Sequence, residues 1–217
     1  ELVAFLRLFP AGILVLITTY LLKRDLKIYK CDLKWFIVFT IVDATFFQLF
    51  LTYGISETGA GLGSVLIDSQ PLIVALLARA IFGNLINPIG WLGLLFGLGG
   101  IIFLGFPQEF LEKWWLMSDT NLGDINFNVG EAWMLAAALS MALGTILIRF
   151  TCTKSDPVSV TGWHMVFGSL PLILKYSFDT NFQSLPNWTL TDWGLMSFAS
   201  IFGSAIAYGL FFYFANN

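Results

Sequence analysis

The chain has 217 residues, of which 57% are hydrophobic and only 12% charged, with a formal net charge of −3. A soluble domain usually carries about a quarter charged residues, so this composition excludes a soluble enzyme, and the near-balanced charge gives no electrostatic basis for binding nucleic acid. A single signal peptide does not account for it either, because apolar runs of the ~20 residues that cross a bilayer recur along the whole chain.

Hydropathy and helix breakers predict seven spans in chain order: Leu2 to Leu22, Trp35 to Tyr53, Ala60 to Phe82, Pro88 to Phe106, Gly130 to Phe150, Val158 to Tyr176 and Trp193 to Phe214. Helix is their expected state, since a segment in lipid must satisfy its own backbone hydrogen bonds and the runs lack the alternation of a barrel strand. The fold class is therefore an all-α, polytopic transmembrane helix bundle.

The first connection holds Lys23, Arg24, Lys27, Lys30 and Lys34, and Arg79, Arg149 and Lys154 fall on the same side by loop parity. The positive-inside rule makes that side cytosolic, or its organellar equivalent. Glu57, Glu109, Glu112, Asp119, Asp124, Glu131, Asp179 and Asp192 fall on the other side. The longest connection, 107–129, is acidic and contains Trp114 and Trp115, which suit either a short interfacial helix or a plain linker. It separates a first half, 1–106, from a second, 130–217. Arg7-Leu-Phe-Pro-Ala-Gly in the first span is similar to His164-Met-Val-Phe-Gly-Ser in the sixth, and Trp35 opens the second span as Trp193 opens the seventh. By loop parity the first and sixth spans run in opposite directions, the plan of an inverted repeat.

The string GAGLGSVLIDSQPLIVALLARAIFGNLINPIGWLGLLFGLGGIIFLG, from Gly59 to Gly105, has a small-residue entry, a polar-Gln-Pro step at Asp68 to Pro71, a short Gly turn and a glycine-rich helix. In that order these parts resemble the EamA family of the drug/metabolite transporter superfamily. The segments GEAWMLAAALSMALGTILIRF, SDPVSVTGWHM and SIFGSAIAYGLFFYFA resemble that family's second repeat. GLGSVLIDSQP and DPVSVTGWHM are most similar to plant plastid and cyanobacterial members. The resemblance implies ten helices in two inverted five-helix repeats, of which this chain, starting at Glu1 without a Met, is expected to hold seven, lacking the first helix and the last two. It also implies a transporter in a chloroplast membrane, thylakoid or envelope, in preference to the plasma membrane. One departure is Gly83-Asn84, where relatives usually carry Gly-Glu.

Ionisable groups inside a span cost about 2.5–3.5 kcal/mol on insertion scales and tend to face a cavity or a partner. Arg7, Asp43, Asp68 and His164 are such groups. With about 1.5 Å rise per residue, Asp43 lies near the midplane, Arg7, Gln48 and Asp68 share a depth toward the outer face, and His164 lies toward the inner face. The functional reading makes these a substrate or proton site, with Arg7 as partner of an anion or carboxylate and Asp43 or Asp68 as proton acceptor; Gln70 and Tyr208 complete the candidates. The structural alternative is an ion pair or hydrogen-bonded packing that fixes the helices. Gln70 is rotated about 200° from Asp68 on a regular helix, and Pro71 invites a kink there. By its place in the polar-Gln-Pro step, Asp68→Asn is expected to impair function more than Asp43→Asn.

Gly93 with Gly97, and the stripe Ala136, Ser140 and Gly144, are expected helix-packing surfaces. No metal, nucleotide or nucleophile constellation is present, so no cofactor is expected. Cys31 and Cys152 read as free thiols, and Asn187-Trp-Thr189 is a glycosylation sequon without further support. The favoured function is a secondary transporter of a small organic metabolite by alternating access, not an enzyme, with membrane lipids and a small-molecule substrate as partners. The alternative is a non-transporting subunit docked in a larger, for example photosynthetic, membrane complex or a homo-oligomer.

Overall fold

The structure, a computed structural model, describes residues 1–83, 86–105, 129–180 and 188–216. Among them every regular element is a helix. Six helices are long and apolar enough to cross a membrane: Leu2–Leu21, Leu33–Thr58, Ala60–Phe82, Val129–Thr151, Pro157–Phe178 and Leu190–Ala215. Where the fourth of the seven expected spans falls, the described residues form an apolar helix, Pro88–Gly105, which is not among these six. The chain is thus an integral membrane protein. The connection 107–128, with Trp114 and Trp115, lies outside the described residues, as do Asn84 and Asn187.

Two spans contain a π-helical turn. The second changes to a π-helical turn over Thr40–Phe46, and the seventh does the same over Ile201–Ile206. Such turns are rare and concentrate at functional sites. The third span breaks: one helix ends at Ile67 and the next begins at Gln70 with Pro71 in its first turn. There the missing proline N–H would have had no intrahelical partner anyway. Gly83, at φ 69°, ends this span in the left-handed conformation that glycine adopts without a steric penalty.

The chain divides into two compact units. The first comprises Glu1–Leu49 and Leu143–Asn217, the second Phe50–Ala142. In the first unit, the first and sixth spans cross at two glycines. A Cβ on Gly12 would stand 2.9 Å from the Gly162 carbonyl oxygen, and one on Gly162 would stand 2.7 Å from Leu16 Cδ2. Small residues at a crossing let backbones approach closely where lipid supplies no hydrophobic drive. The second span closes on the sixth at Gly168, whose carbonyl accepts from the Thr45 hydroxyl at 2.9 Å. Leu8, Phe39, Met165, Leu172 and Phe212 fill the core around these crossings.

At its basic end the first unit is sewn together by polar bonds. The Asp32 carboxylate accepts from the backbone N–H groups of Lys154 and Ser155 at 3.0 and 2.8 Å. It also accepts from the hydroxyls of Thr153 and Ser155. Burial alone would raise the Asp32 carboxyl, but these bonds outweigh it and hold the group down to about 2. Arg24 pairs with Asp156 at 2.9 Å, while the second oxygen of Asp156 accepts from Val158 N and caps the sixth span. The Trp163 indole N–H donates to the Leu26 carbonyl at 3.0 Å.

The second unit packs differently. Gly54 leaves room for Met134, whose Cγ would lie 2.7 Å from an added Cβ, and Trp133 stacks on Phe50 at 5.4 Å between centroids. Arg79 lies 5.6 Å above the Trp91 ring. At Gly93 and Gly97 an added Cβ would meet no atom of the described residues within 4 Å.

Candidate functional site

Four spans of the first unit each send polar side chains into its apolar core: Arg7 from the first, Asp43 and Gln48 from the second, His164 from the sixth and Tyr208 from the seventh. Asp43, Gln48 and His164 are at most 1% exposed, and Tyr208 is 9% exposed. On a regular helix, Asp43 and Gln48 would point about 140° apart. The intervening π turn, with hydrogen bonds running from i to i+5, swings residues five apart back toward one side.

These groups form two linked sets. Arg7 donates from Nη2 to Gln48 Oε1 at 2.8 Å, and the Tyr208 side chain lies beside that of Gln48. The second set is a pair: His164 Nε2 lies 3.0 Å from Asp43 Oδ2, and both side chains are wholly buried. The Tyr208 ring lies 6.4 Å from the imidazole and connects the sets. Phe39 and Phe212 close around the same imidazole at 4.4 and 5.5 Å.

The protonation of the pair follows from its bonds. His164 Nδ1 lies 2.6 Å from the Thr161 carbonyl oxygen. A carbonyl can only accept, so Nδ1 carries hydrogen. Nε2 then faces Asp43 either as the acceptor of a carboxylic O–H or as an N–H donating to a carboxylate. Both arrangements place one proton between the two residues and leave the buried pair neutral overall. That neutrality is what a low-dielectric site demands. Asp43 Oδ1, by contrast, is buried with no hydrogen-bond partner among the described residues. It presses on the fifth span at Gly144, where an added Cβ would lie 2.5 Å from Asp43 Cγ.

Two openings flank the core. A groove of about 500 Å³ runs between the first and seventh spans, lined by Val3, Arg7, Trp188, Asp192, Leu195, Met196 and Ala199. A larger one of about 640 Å³, lined by residues such as Leu14, Val158, Ile201 and Leu210, is mainly apolar and touches none of the polar core. Among the described residues no group of three or more His, Cys, Asp or Glu side chains could hold a metal ion.

The structure thus joins Arg7, Gln48 and Tyr208, and joins Asp43 with His164. Depths along regular helices place the last two on different levels, and the structure brings them together across the core. Asp68 and Gln70 belong to the second unit. Asp68 is exposed at the end of its helix rather than lining a core. Gly144, expected only to pack helices, bears on the site. Thr161 contributes only a carbonyl, which no sequence signal marks, and Phe39 and Phe212 are aromatics among many in the sequence.

Comparison with known proteins agrees with this architecture. The chain is 48% identical over 217 residues to an uncharacterized transporter of the cyanobacterium Synechocystis, spanning 66% of that protein's length. It is 44% identical over 221 residues to a WAT1-related chloroplastic protein of Arabidopsis thaliana, covering 50% of it. It is also 25% identical over 214 residues to the uncharacterized transporter YoaV of Bacillus subtilis, covering 68% of it. The chain therefore spans between about half and two thirds of these relatives. No solved structure matches it significantly. With residues 1–106 and 128–217 matching its pattern, the chain belongs to the EamA-like transporter family.

Proposed function

We propose that the protein is a secondary transporter of a small organic metabolite, working by alternating access in a chloroplast membrane, thylakoid or envelope, with its basic end on the stromal side. The observation that carries this reading is the convergence of Arg7, Asp43, Gln48, His164 and Tyr208 from four spans into one apolar core. Intramembrane ionisable groups are functional by default, and a purely structural bundle gains little from a buried pair that leaves one carboxylate oxygen without a partner among the described residues. Membership of a transporter family and the chloroplastic relative support the same reading.

In this account the Asp43–His164 pair carries the coupling proton. Sealed as it is, the pair cannot exchange its proton with water, so exchange belongs to a second conformation in which the core opens. Arg7 and Tyr208 are the charged and titratable groups facing the pair's neighbourhood from the first and seventh spans; Gly144, the fifth-span residue against Asp43, brings no such group. The two π turns supply places where the second and seventh spans can change winding. Uptake of a panel of labelled metabolites by full-length protein in proteoliposomes tests the reading. Asp43→Asn and Gln48→Ala are expected to depress uptake, and Phe96→Leu, at a side chain 79% exposed, to leave it unchanged. Folded protein that moves no solute, or Asp43→Asn protein as active as wild type, defeats the proposal.

A further inference from the structure

Arg7 is a cation inside a span, yet among the described residues it makes no ion pair: the pairs present are Arg24 with Asp156, His164 with Asp43 and Lys175 with Glu1. One nitrogen is bonded to Gln48. The Nε–H is buried with no acceptor among the described residues. A guanidinium held this way has the fork of donors that matches a carboxylate, and its uncompensated charge in an apolar surrounding favours an anion.

The groove that reaches Arg7 describes the rest of the ligand. Val3 and Arg7 are one turn apart on the first span, and Asp192, Leu195, Met196 and Ala199 form one stripe of the seventh. Exposure falls along that stripe, from exposed Asp192 in the first turn to buried Ser200 beyond Ala199. Between the two charges the walls are apolar, from Leu195, Met196, Ala199 and Val3, with Trp188 beside the mouth. Asp192 is held in place by the backbone N–H and hydroxyl of Thr189 at 2.8 and 2.6 Å. Its charge at the mouth opposes a second negative group on an entering solute.

Building on the transporter reading, we propose that the groove is the substrate entry site and that it selects organic monocarboxylates with an apolar body, the carboxylate meeting Arg7 and the body lying on Leu195 and Met196. Dianions are disfavoured by Asp192, and cations by Arg7.

The test uses full-length protein and four small solutes: the monoanion 4-methyl-2-oxopentanoate, the dianion 2-oxohexanedioate, the zwitterion leucine and the cation isopentylammonium. Binding is read as thermal stabilisation in detergent, transport as saturable uptake by proteoliposomes. The monoanion is expected to stabilise the protein. Arg7→Gln should weaken its binding about tenfold or more, the loss of one charge-assisted contact, and Arg7→Lys should restore part of it. Asp192→Asn, which keeps an acceptor for Thr189, should improve binding of the dianion about threefold to tenfold. Preferential stabilisation by leucine or isopentylammonium, an unchanged monoanion response in Arg7→Gln, or a dianion response indifferent to Asp192→Asn overturns the assignment. Monoanion binding that depends on Arg7 without any uptake leaves the site standing and removes the transporter reading instead. Uptake confined to the other solutes does the reverse.

Discussion

The two units of this chain use glycine for the same physical purpose and to different ends. In the second, Gly54 makes room for the flexible side chain of Met134, and the result is packing alone. In the first, Gly144 makes room for the carboxylate of Asp43, so close approach of two spans encloses a proton-bearing pair. The comparison teaches that in an apolar bundle a small-residue contact is no guide to function until the group that fills the space is known. Helix-helix approach is common to both units; buried ionisable chemistry among the described residues is concentrated in the first.

The sharpest way to break this comparison is Asp43→Asn. The amide can still donate to His164 Nε2, so the bundle should survive with a stability loss of about 1 kcal/mol. Uptake driven by a pH gradient should fall about tenfold or more, the factor that about 1.4 kcal/mol represents. This reverses the ranking expected from sequence: Asp68→Asn, at an exposed helix end, should have the smaller effect. A second contrast sets Gly144→Ala against Gly54→Ala. Both overpack, at a cost of about 1–3 kcal/mol, read as melting temperature in detergent, but only Gly144→Ala should also impair transport, because only there does the displaced neighbour belong to the site.

The basic end offers a smaller effect with a defined pH dependence. Because the Asp32 carboxyl is held at about 2 in the folded protein, below its ordinary value of about 3.9, the unfolded chain binds the extra proton between these limits. Its contribution, about 2–3 kcal/mol, is present above about pH 4 and is lost as pH falls toward 2. Acid unfolding followed by tryptophan fluorescence should therefore show a shallower loss below pH 4 for Asp32→Asn than for wild type. The smallest effect concerns the thiols. Burial first, then the charges of Asp32 and Asp156, push Cys152 up to about 12, whereas Cys31 is exposed. Maleimide at neutral pH should label Cys31 at least about tenfold faster, since the thiolate is the reacting form. In a Cys31→Ser background, Lys27→Cys labelled from the stromal side would fix the orientation of the basic end, and labelling from the opposite side would reverse it.

The fold was legible because each span carries its own signal: length, apolar content and bounding breakers such as Gly83, Pro88 and Pro157. Span ends moved by only a few residues, as at Leu33 against the expected Trp35. The residue types of the site were legible too, since Arg7, Asp43 and His164 stand out in apolar runs. Their pairing was not. The π turn at Thr40–Phe46 changes the phase on which depth and face estimates rest, and nothing in TIVDATF announces it. Gly12 and Gly162 make the main crossing, yet no spacing motif marks them as one marks Gly93 and Gly97.

The central claim is that one proton is held between Asp43 and His164. His164 is the only histidine among the 217 residues, so nitrogen NMR of 15N-histidine-labelled full-length protein, with the signal assigned through His164→Gln, reads this site directly. The account predicts a protonated Nδ1 and an Nε2 resonance displaced by a shared hydrogen, with that displacement lost in Asp43→Asn. An Nε2 signal unaltered by Asp43→Asn, or a ring whose Nδ1 bears no hydrogen, would contradict it.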